Sequence, residues 1–384
     1  MTRRVWLGAA ASMALPVYPG RASQDTESVP HIEHNLYSSA ATREALRRGQ
    51  LPASFLWENK ALRLGVNELG RTHGIDVWLD RRLDPQQEIS LRFPAESAPP
   101  TLYRALMSIA KLAGAAVGMI ENIAYIGPVE SVARVQCAAV VLYDRMHRFS
   151  GDRSPMAPPL EWADISSYND ILAQIAQGSG WSIAGRLPHD LLHAGRWNSP
   201  ATLATQLTLL LAGFDMTAEP AGPRALRLVP LGKNTEWQTI YQPSELVGTR
   251  LSPTAIQQLQ RRFPSARAVQ QPSGWHVSGP TDFHLALMTP PPPQLNANAS
   301  RWQRMRWTFQ VKNKPAKVVL DSLSTSIGFD THWSSTALEK GNQTISFEVA
   351  NADLDTLLQA FARASGLQVI RQGSVVQIDH RQSQ

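Results

Sequence analysis

The stretch "WTFQVKNKPAKVVLDSLSTSIGFDTHWSSTALEKGNQTISFEVANADLDTLLQAFARASGLQVIRQGSVVQI", residues 307–378, decides the fold, because it is the clearest of three copies of one unit. Alternating apolar residues at its start predict a strand. A helix follows, since Leu320, Leu323 and Ile327 lie at helical spacing, and Gly328 ends it. The aromatic stretch "FDTHW" then predicts a second strand.

The second half of this unit repeats the same alternation of strand and helix. A polar crossover leads to "QTISFEV", a strand whose apolar residues share one face. Asn351, an N-cap residue, opens a second predicted helix that runs as far as Gly366. Two short strands around Gly373 close the unit. Its predicted order is therefore strand, helix, strand, strand, helix, strand, strand.

The same order recurs at residues 55–127 and 160–231, where glycines again stand at or just after the predicted helix ends. These glycines are Gly74, Gly114, Gly180 and Gly213. Six side chains are predicted to be buried where the helices pack on the sheets, namely Leu69, Leu106, Ile175, Leu207, Leu323 and Phe361.

This unit resembles the short N-terminal (STN) domain of secretins and TonB-dependent transducers. The matching segments are "VVLDSLSTSIGF" and "LDTLLQAFARASGLQV" in the third copy, and "LRLGVNELGRTHGI" and "LYRALMSIAKLAGA" in the first. Residues 240–288 are similar to the ring-forming domains of secretins. We expect an α+β fold of three tandem small two-layer modules plus one small α+β ring-forming-like module, with neither a secretin nor a receptor barrel.

The predicted organisation has eight parts. They are a signal peptide (1–22), an N-terminal linker (23–52), STN-like module 1 (53–128), a connecting strand and Pro-rich loop (129–158), STN-like module 2 (159–231), a ring-forming-like module (237–288), a Pro-rich linker (289–302) and STN-like module 3 (303–380). The linker "TPPPPQLNANAS" predicts a semi-rigid spacer that separates the third module from the others.

The chain begins with an export signal. Arg3 and Arg4 precede an apolar stretch, and Gly20 to Ala22 form a small-residue cleavage site. Sec and twin-arginine export both remain open. Removal of residues 1–22 takes away three arginines and no acid, which lowers the net charge from +6 to +3. We expect a periplasmic protein with no integral membrane segment and no nucleic-acid partner, since its arginines form no basic stripe.

The segment "LPHDLLHAG" raises the question of a metal site. His189 and His193 have the spacing of the zinc-protease signature, in which two histidines on one helical turn bind the metal. Here they fall in a crossover between two strands, so no long helix is expected. We predict no metal ligands, no cofactor and no catalytic residues, and therefore no enzyme. Cys137, the single cysteine, is expected to be buried and inert.

Two further groups of residues are interpreted as structural. Asp76 and Asp80 alternate along the strand "IDVWLD", and we expect both carboxylates to be exposed to solvent. Most of five tryptophans occupy repeat positions that also hold Phe or Ile, which predicts a place in the core rather than on a ligand-binding surface. They are Trp181, Trp197, Trp302, Trp307 and Trp333.

These observations favour an exported, non-enzymatic interaction protein of the cell envelope, with secretin or TonB-type machinery as the expected partner and self-association included. Small mixed sheets leave edges to which another strand can be added. The alternative is a periplasmic ligand- or cell-wall-binding protein. A metal-dependent hydrolase using His189 and His193 is the less favoured alternative. The sequence does not identify the partner, the pathway or the oligomeric state.

Overall fold

A computed structural model describes residues 29–53, 55–92, 100–150, 156–157, 159–246, 252–290, 307–373 and 375–380. The predicted signal peptide and residues 291–302 of the predicted linker lie outside these ranges. Mixed small sheets and helices fill the described part, which confirms the predicted α+β class. Among its helices, none combines the length and the apolar character needed to cross a bilayer.

The segment expected to be an N-terminal linker is instead part of the core. A one-turn 3-10 helix, Leu36–Ser38, precedes α1 (Ala40–Gly49), and Leu36 and Tyr37 are buried. Backbone N–H groups of Glu33 and His34 each donate to the buried carboxylate of Asp144, at 3.0 Å. Because these anchors come from distant parts of the chain, local sequence gives little sign of them.

The first unit has the predicted order of elements. They are β1 (Leu56–Ala61), α2 (Leu62–His73), β2 (Asp76–Leu79), β3 (Glu88–Arg92), α3 (Leu102–Leu112), β4 (Ala115–Ile120) and β5 (Ile123–Pro128). Strands β1 and β3 pair antiparallel, and β2, β5 and β4 form a sheet in that order, with β2 parallel to β5.

A long helix, α4 (Val129–Ser150), occupies most of the region where a connecting strand was expected, so that expectation is wrong. No residue of α4 between Ser131 and Asp144 is exposed. The run "VQCAAVVLY" is apolar on every side, and such a run does not distinguish a buried helix from a buried strand. Cys137 is buried in α4 as expected, and burial raises the pKa of its thiol to about 12.

The second unit has shorter strands but the same topology. Its elements are β6 (Met156–Ala157), β7 (Leu160–Trp162), β8 (Ser166–Ser167), α5 (Tyr168–Ser179), β9 (Ser182–Ala184), β10 (Leu191–Leu192), β11 (Gly195–Trp197), β12 (Ala201–Thr202), α6 (Leu203–Ala212), β13 (Met216–Gly222) and β14 (Ala225–Pro230). Strands β6, β7 and β8 pair antiparallel with β12, β11 and β10, and β14 lies parallel to β9 and antiparallel to β13.

A separate antiparallel sheet follows, in the order β15, β17, β16, where the ring-forming-like module was predicted. Its elements are β15 (Glu236–Tyr241), α7 (Pro253–Arg262), β16 (Arg267–Gln271), β17 (Gly274–Pro280) and α8 (Thr281–Met288). We call this part the three-stranded unit. An isolated β-bridge pairs His31 with Gln238 on β15, so the N-terminal segment lies against the three-stranded unit.

The third unit repeats the topology of the first. Its elements are β18 (Trp307–Pro315), α9 (Ala316–Ile327), β19 (Asp330–Trp333), α10 (Ser335–Lys340), β20 (Thr344–Ala352), α11 (Leu354–Ser365), β21 (Leu367–Gln372) and β22 (Val375–His380). Strands β18 and β20 pair antiparallel, and β19, β22 and β21 form the second sheet. Strand β20 runs past Asn351, so Asp353 rather than Asn351 caps α11.

A matching irregularity shows that the first and third copies agree in atomic detail. Asn59 in β1 and Asn313 in β18 both adopt φ of 49°, at the point where each strand's register shifts. The backbone N–H of each asparagine donates to a serine hydroxyl on the facing strand, at 2.9 Å in both copies. These acceptors are Ser90 and Ser346. Such a bulge changes the twist of the strand, and its repetition is independent support for the internal repeat.

The buried apolar residues form two separate cores. One extends through the N-terminal segment, the first and second units, α4 and the three-stranded unit, which we together call the base. The other lies within the third unit. Helix α4 joins the parts of the base, since it packs on β4, α6, β13, β15 and α8. All six side chains predicted to be buried are buried.

Replacing Phe361 with alanine should lower the free energy of unfolding of the third unit by about 3–5 kcal/mol, because this ring is fully buried beside Phe347. Ile370→Ala is the control, since this side chain is 43% exposed on β21, and it should change stability by less than about 0.5 kcal/mol. Urea unfolding of the full chain measures both. Equal losses in the two variants would contradict the placement of Phe361.

Candidate docking cleft between the first and second units

The first unit supplies polar groups to the N-terminal end of a helix in the second. All ten residues of α6 are buried, so the unpaired N–H groups of its first turn need protein partners. Glu121, in the β4–β5 turn, accepts at one carboxylate oxygen from the Thr202 N–H, the Thr202 hydroxyl and the Thr205 hydroxyl, at 2.9, 3.1 and 2.9 Å.

Arginines of the first unit reach the other end of the same helix. Arg82 donates to the carbonyl of Ala212 at 3.2 Å, and Arg81 donates to the carbonyl of Gly213 at 3.3 Å. Cations at a helix C-terminus satisfy carbonyls that lack intrahelical partners and complement the helix dipole. The first unit therefore holds α6 at both ends.

Asp80 is buried, which makes the expectation of a solvent-exposed carboxylate wrong. It accepts from the hydroxyl of Tyr125 at 2.6 Å and from the guanidinium of Arg82 at 2.8 Å. Burial opposes its ionisation, but these hydrogen bonds outweigh burial and hold the pKa of the carboxyl below its usual value. Asp80 thus fixes the arginine that reaches α6.

Asp76 is also buried, and the expectation of solvent exposure is wrong for it too. Its two carboxylate oxygens accept from the backbone N–H groups of Asn198 and Ser199, at 3.1 and 2.9 Å, and from the Asn198 amide at 3.0 Å. The alternation of the strand gave no sign of this role, because the partners come from the second unit.

Three tryptophans meet where the two units touch. Trp78 comes from β2, Trp162 from β7 and Trp197 from β11, and their ring centroids lie 5.1–5.8 Å apart. All three are buried, and the indole N–H of Trp162 donates to the carbonyl of His193 at 2.8 Å. The edge and tilted geometries are those that aromatic pairs prefer.

Among the predicted core tryptophans, Trp181 and Trp197 are buried, as expected. Trp307 and Trp333 are only half-buried, and Trp302 lies outside the described residues.

Above this cluster lies a cleft of about 690 Å³. Two runs of seven consecutive residues, 75–81 and 190–196, line it from opposite sides. The first run contains β2, which has an unpaired edge, whereas backbone groups of residues 191–194 in the second run already bond to side chains. Asp76 holds one end of the cleft against Asn198, and Arg81 pairs with Asp190 at the other.

Three cationic side chains that line the cleft form no ion pair within the described residues, whereas every carboxylate that lines it has a partner. Arg63, Arg196 and Lys312 line it, and the ion pairs found in the described ranges include none of the three. Each lining carboxylate, in contrast, accepts from a neighbour. These carboxylates are Glu68, Asp76, Asp80 and Asp190.

The "LPHDLLHAG" segment forms one wall of this cleft. As predicted, no helix is present at residues 186–195, and both histidines are exposed. His193 lies with Nδ1 3.3 Å from a carboxylate oxygen of Asp164. In the part of the chain that the structure describes, no group of three or more His, Cys, Asp and Glu side chains is arranged to hold a metal ion.

Comparisons with known proteins identify no family. No protein-family model matches the chain, and no curated protein matches it. Among solved structures, a dimeric mutant of the N-terminal domain of the secretin XcpQ from Pseudomonas aeruginosa is similar, with a TM-score of 0.17 and 15% identity. That similarity covers 54% of this chain and 95% of the other. Values this low assign neither a fold nor a function.

The Glu121 contact predicts a pH dependence of stability. Burial raises the pKa of Glu121, and the hydrogen bonds from Thr202 and Thr205 offset this only in part. The stability that its protonated form contributes is therefore present below the ordinary pKa of 4.5 and is lost as the pH rises through the raised value. Glu121→Gln keeps the side-chain shape without the charge, so its stability relative to wild type should increase as the pH rises above 4.5.

Glu121→Ala should cost about 1–3 kcal/mol, because buried donors lose their acceptor. Urea unfolding of the wild type and both variants across a pH series measures these differences. A constant difference between the wild type and the glutamine variant would contradict the burial of an ionisable carboxyl at this contact.

The histidine segment predicts the outcome of a metal analysis. Purified protein should contain no stoichiometric zinc by elemental mass spectrometry. Changing both His189 and His193 to alanine should leave the free energy of unfolding unchanged within about 0.5 kcal/mol, because both side chains are exposed. One zinc per chain, lost in the double variant, would instead support the hydrolase hypothesis.

Proposed function

We propose that the chain is an exported, non-enzymatic docking protein of the cell envelope. It would act in the periplasm with a secretion, pilus or outer-membrane transport or signalling assembly, as the resemblance of its repeated unit to STN modules suggests. The observation that supports docking most directly is the cleft between the first and second units, which is lined by β2, a strand with an unpaired edge.

Unpaired strand edges are binding sites for extended segments of other proteins, because main-chain hydrogen bonds supply affinity and the flanking side chains supply specificity. In the described ranges β2 pairs only with β5, and β10 and β11 pair only with β8 and β7. Strand β2 therefore has a second edge for a partner strand, whereas the backbone of residues 191–194 in the opposite wall already has hydrogen-bond partners from side chains.

Further edges with apolar side chains lie elsewhere on the surface. Val269 is 52% exposed on β16, an edge of its sheet, and Ile370 is 43% exposed on β21, an edge in the third unit. Exposed apolar edge strands are sites at which chains associate. We include self-association among the proposed forms of docking for this reason.

The tryptophans support docking over the alternative of a cell-wall-binding protein. Sugar rings would need accessible indole faces, as aromatic platforms present an apolar face to their ligand. Trp78 and Trp162 line the cleft but are only 5% and 7% exposed. They are placed to support a bound segment from below rather than to stack on a sugar ring.

Photo-crosslinking in the native envelope tests the proposal. A benzoylphenylalanine placed at Leu64, which lines the cleft from α2 and is 55% exposed, should give a discrete adduct with a protein partner. The same group at Met107, which is 42% exposed on α3 and does not line the cleft, is the matched control. Mass spectrometry of the adduct identifies the partner.

The expected result is an adduct at position 64 that is absent or much weaker at position 107. If the two positions give the same adducts, or if neither gives one, the cleft is not the docking site. Crosslinks at Val269 or Ile370 in that case would keep a docking function at other edges, and their absence as well would contradict docking.

A further inference from the structure

We propose that the cleft binds an extended peptide segment that alternates apolar and acidic side chains, added as a strand to the unpaired edge of β2. This rests on the proposed docking function and deepens it, because it specifies the chemistry of the partner. The backbone directions, the dimensions, the charge and the floor of the cleft each support it.

Hydrogen bonding within the first unit shows which backbone groups of β2 face the cleft. The N–H of Asp80 donates to the carbonyl of Ile126 at 2.8 Å, so Asp80 faces β5. The backbone groups of successive strand residues point to alternate edges. Trp78, two residues before Asp80, therefore also faces β5. The N–H and C=O groups of Val77 and Leu79 therefore point away from β5, toward the cleft.

The opposite wall runs antiparallel to β2. Asp76, at the start of β2, contacts Asn198, and Arg81, just after its end, contacts Asp190. In this wall the backbone of residues 191–194 already bonds to side chains, so β2 supplies the ladder. Parallel and antiparallel ladders are both stable, so β2 accepts a peptide in either direction.

The size of the cleft matches a short strand. Each strand residue occupies roughly 3.3 Å along the strand, 4.8 Å between strands and 10 Å between layers, or about 160 Å³. The volume of about 690 Å³ therefore accommodates about four residues. Four residues likewise separate Asp76 from Arg81 along the chain.

The charge of the cleft specifies acidic side chains. All four lining carboxylates already have partners, whereas Arg63, Arg196 and Lys312 line the cleft outside any ion pair of the described residues. The Nε of Arg63 is buried and has no hydrogen-bond partner within those ranges. A carboxylate from a bound segment would pair with these cations at the rim, and charge-assisted hydrogen bonds of this kind are the stronger ones.

The floor of the cleft specifies apolar residues on the other face of the bound segment. Trp78 and Trp162 lie beneath it, and Leu79 and Leu83 contribute further apolar surface. A strand directs alternate side chains to opposite faces. One set would pack on the half-buried Leu79 and Leu83, and the other would meet the cations at the rim.

Selection from a phage-displayed library of random octapeptides tests the inference on the purified full chain. We expect enriched sequences in which Asp or Glu alternates with Val, Ile, Leu or Phe. Binding of a synthetic selected peptide should weaken about three- to tenfold when Arg63 and Arg196 are both changed to glutamine. Arg261→Gln with Arg267→Gln, two exposed arginines outside the cleft, is the matched control and should leave binding unchanged.

Two further measurements separate this inference from simpler explanations. Arg196→Gln with Lys312→Gln changes only exposed side chains, so it should keep the wild-type melting temperature and still weaken binding. N-methylation of alternate peptide amides removes strand donors and should weaken binding more than tenfold if the backbone pairs with the edge of β2. The same peptide with lysine in place of its acids should not bind.

Enrichment of peptides without acids, binding that the cleft variants leave unchanged, or tolerance of N-methylation at every position would each overturn the inference. So would a Leu64 photo-adduct of twice the chain's mass, which would assign the cleft to a second copy. A failure of this kind leaves the docking function intact, provided that the envelope crosslinks at Leu64 are still observed.

Discussion

The backbone N–H and C=O groups at both ends of a fully buried helix need hydrogen-bond partners, and this requirement determines how the units of the base pack together. Helix α6 has no exposed residue, so water does not reach its terminal N–H and carbonyl groups, and leaving such groups unpaired costs about 1–3 kcal/mol each. Glu121 supplies acceptors at the N-terminus, and Arg81 and Arg82 supply donors at the C-terminus. All three come from the first unit. The first and second units are therefore joined by the requirements of one helix.

The docking cleft is a consequence of that arrangement. Arg81 and Arg82 follow directly after β2, so the contacts that reach α6 also fix where β2 lies relative to residues 190–198. Asp76 fixes the other end of β2 against Asn198. Between these two contacts the strand edges stay apart, with Trp78 and Trp162 below them. The polar contacts hold the walls at both ends, so the shape of the cleft does not depend on a bound segment, and the proposed docking would have a lower ordering cost.

Patterns within short stretches of the sequence predicted the helices, the strands and the buried apolar side chains, because these depend mainly on neighbouring residues. Helical spacing and terminal glycines located the three copies, and Leu207 or Phe361 could be placed in a core without a structure. The features missed all depend on contacts between distant segments. Asp76 and Asp80 have the alternation of exposed strand residues, yet partners from the second unit or the neighbouring strand bury them. Helix α4 is covered on several sides, so it lacks the polar face that identifies a surface helix.

The third unit is attached to the cleft in a different way from the second. It has its own core, and Gln310 and Lys312 of β18 reach the rim of the cleft. The ion pair found there, Arg71 with Glu348 at 3.3 Å, has side chains that are 64% and 49% exposed. An exposed pair contributes at most about 1 kcal/mol, less than the helix-end contacts between the first two units together. Separating the walls of the cleft would break buried hydrogen bonds, whereas this exposed pair adds little to the position of the third unit. The shape of the cleft is thus fixed at its two ends.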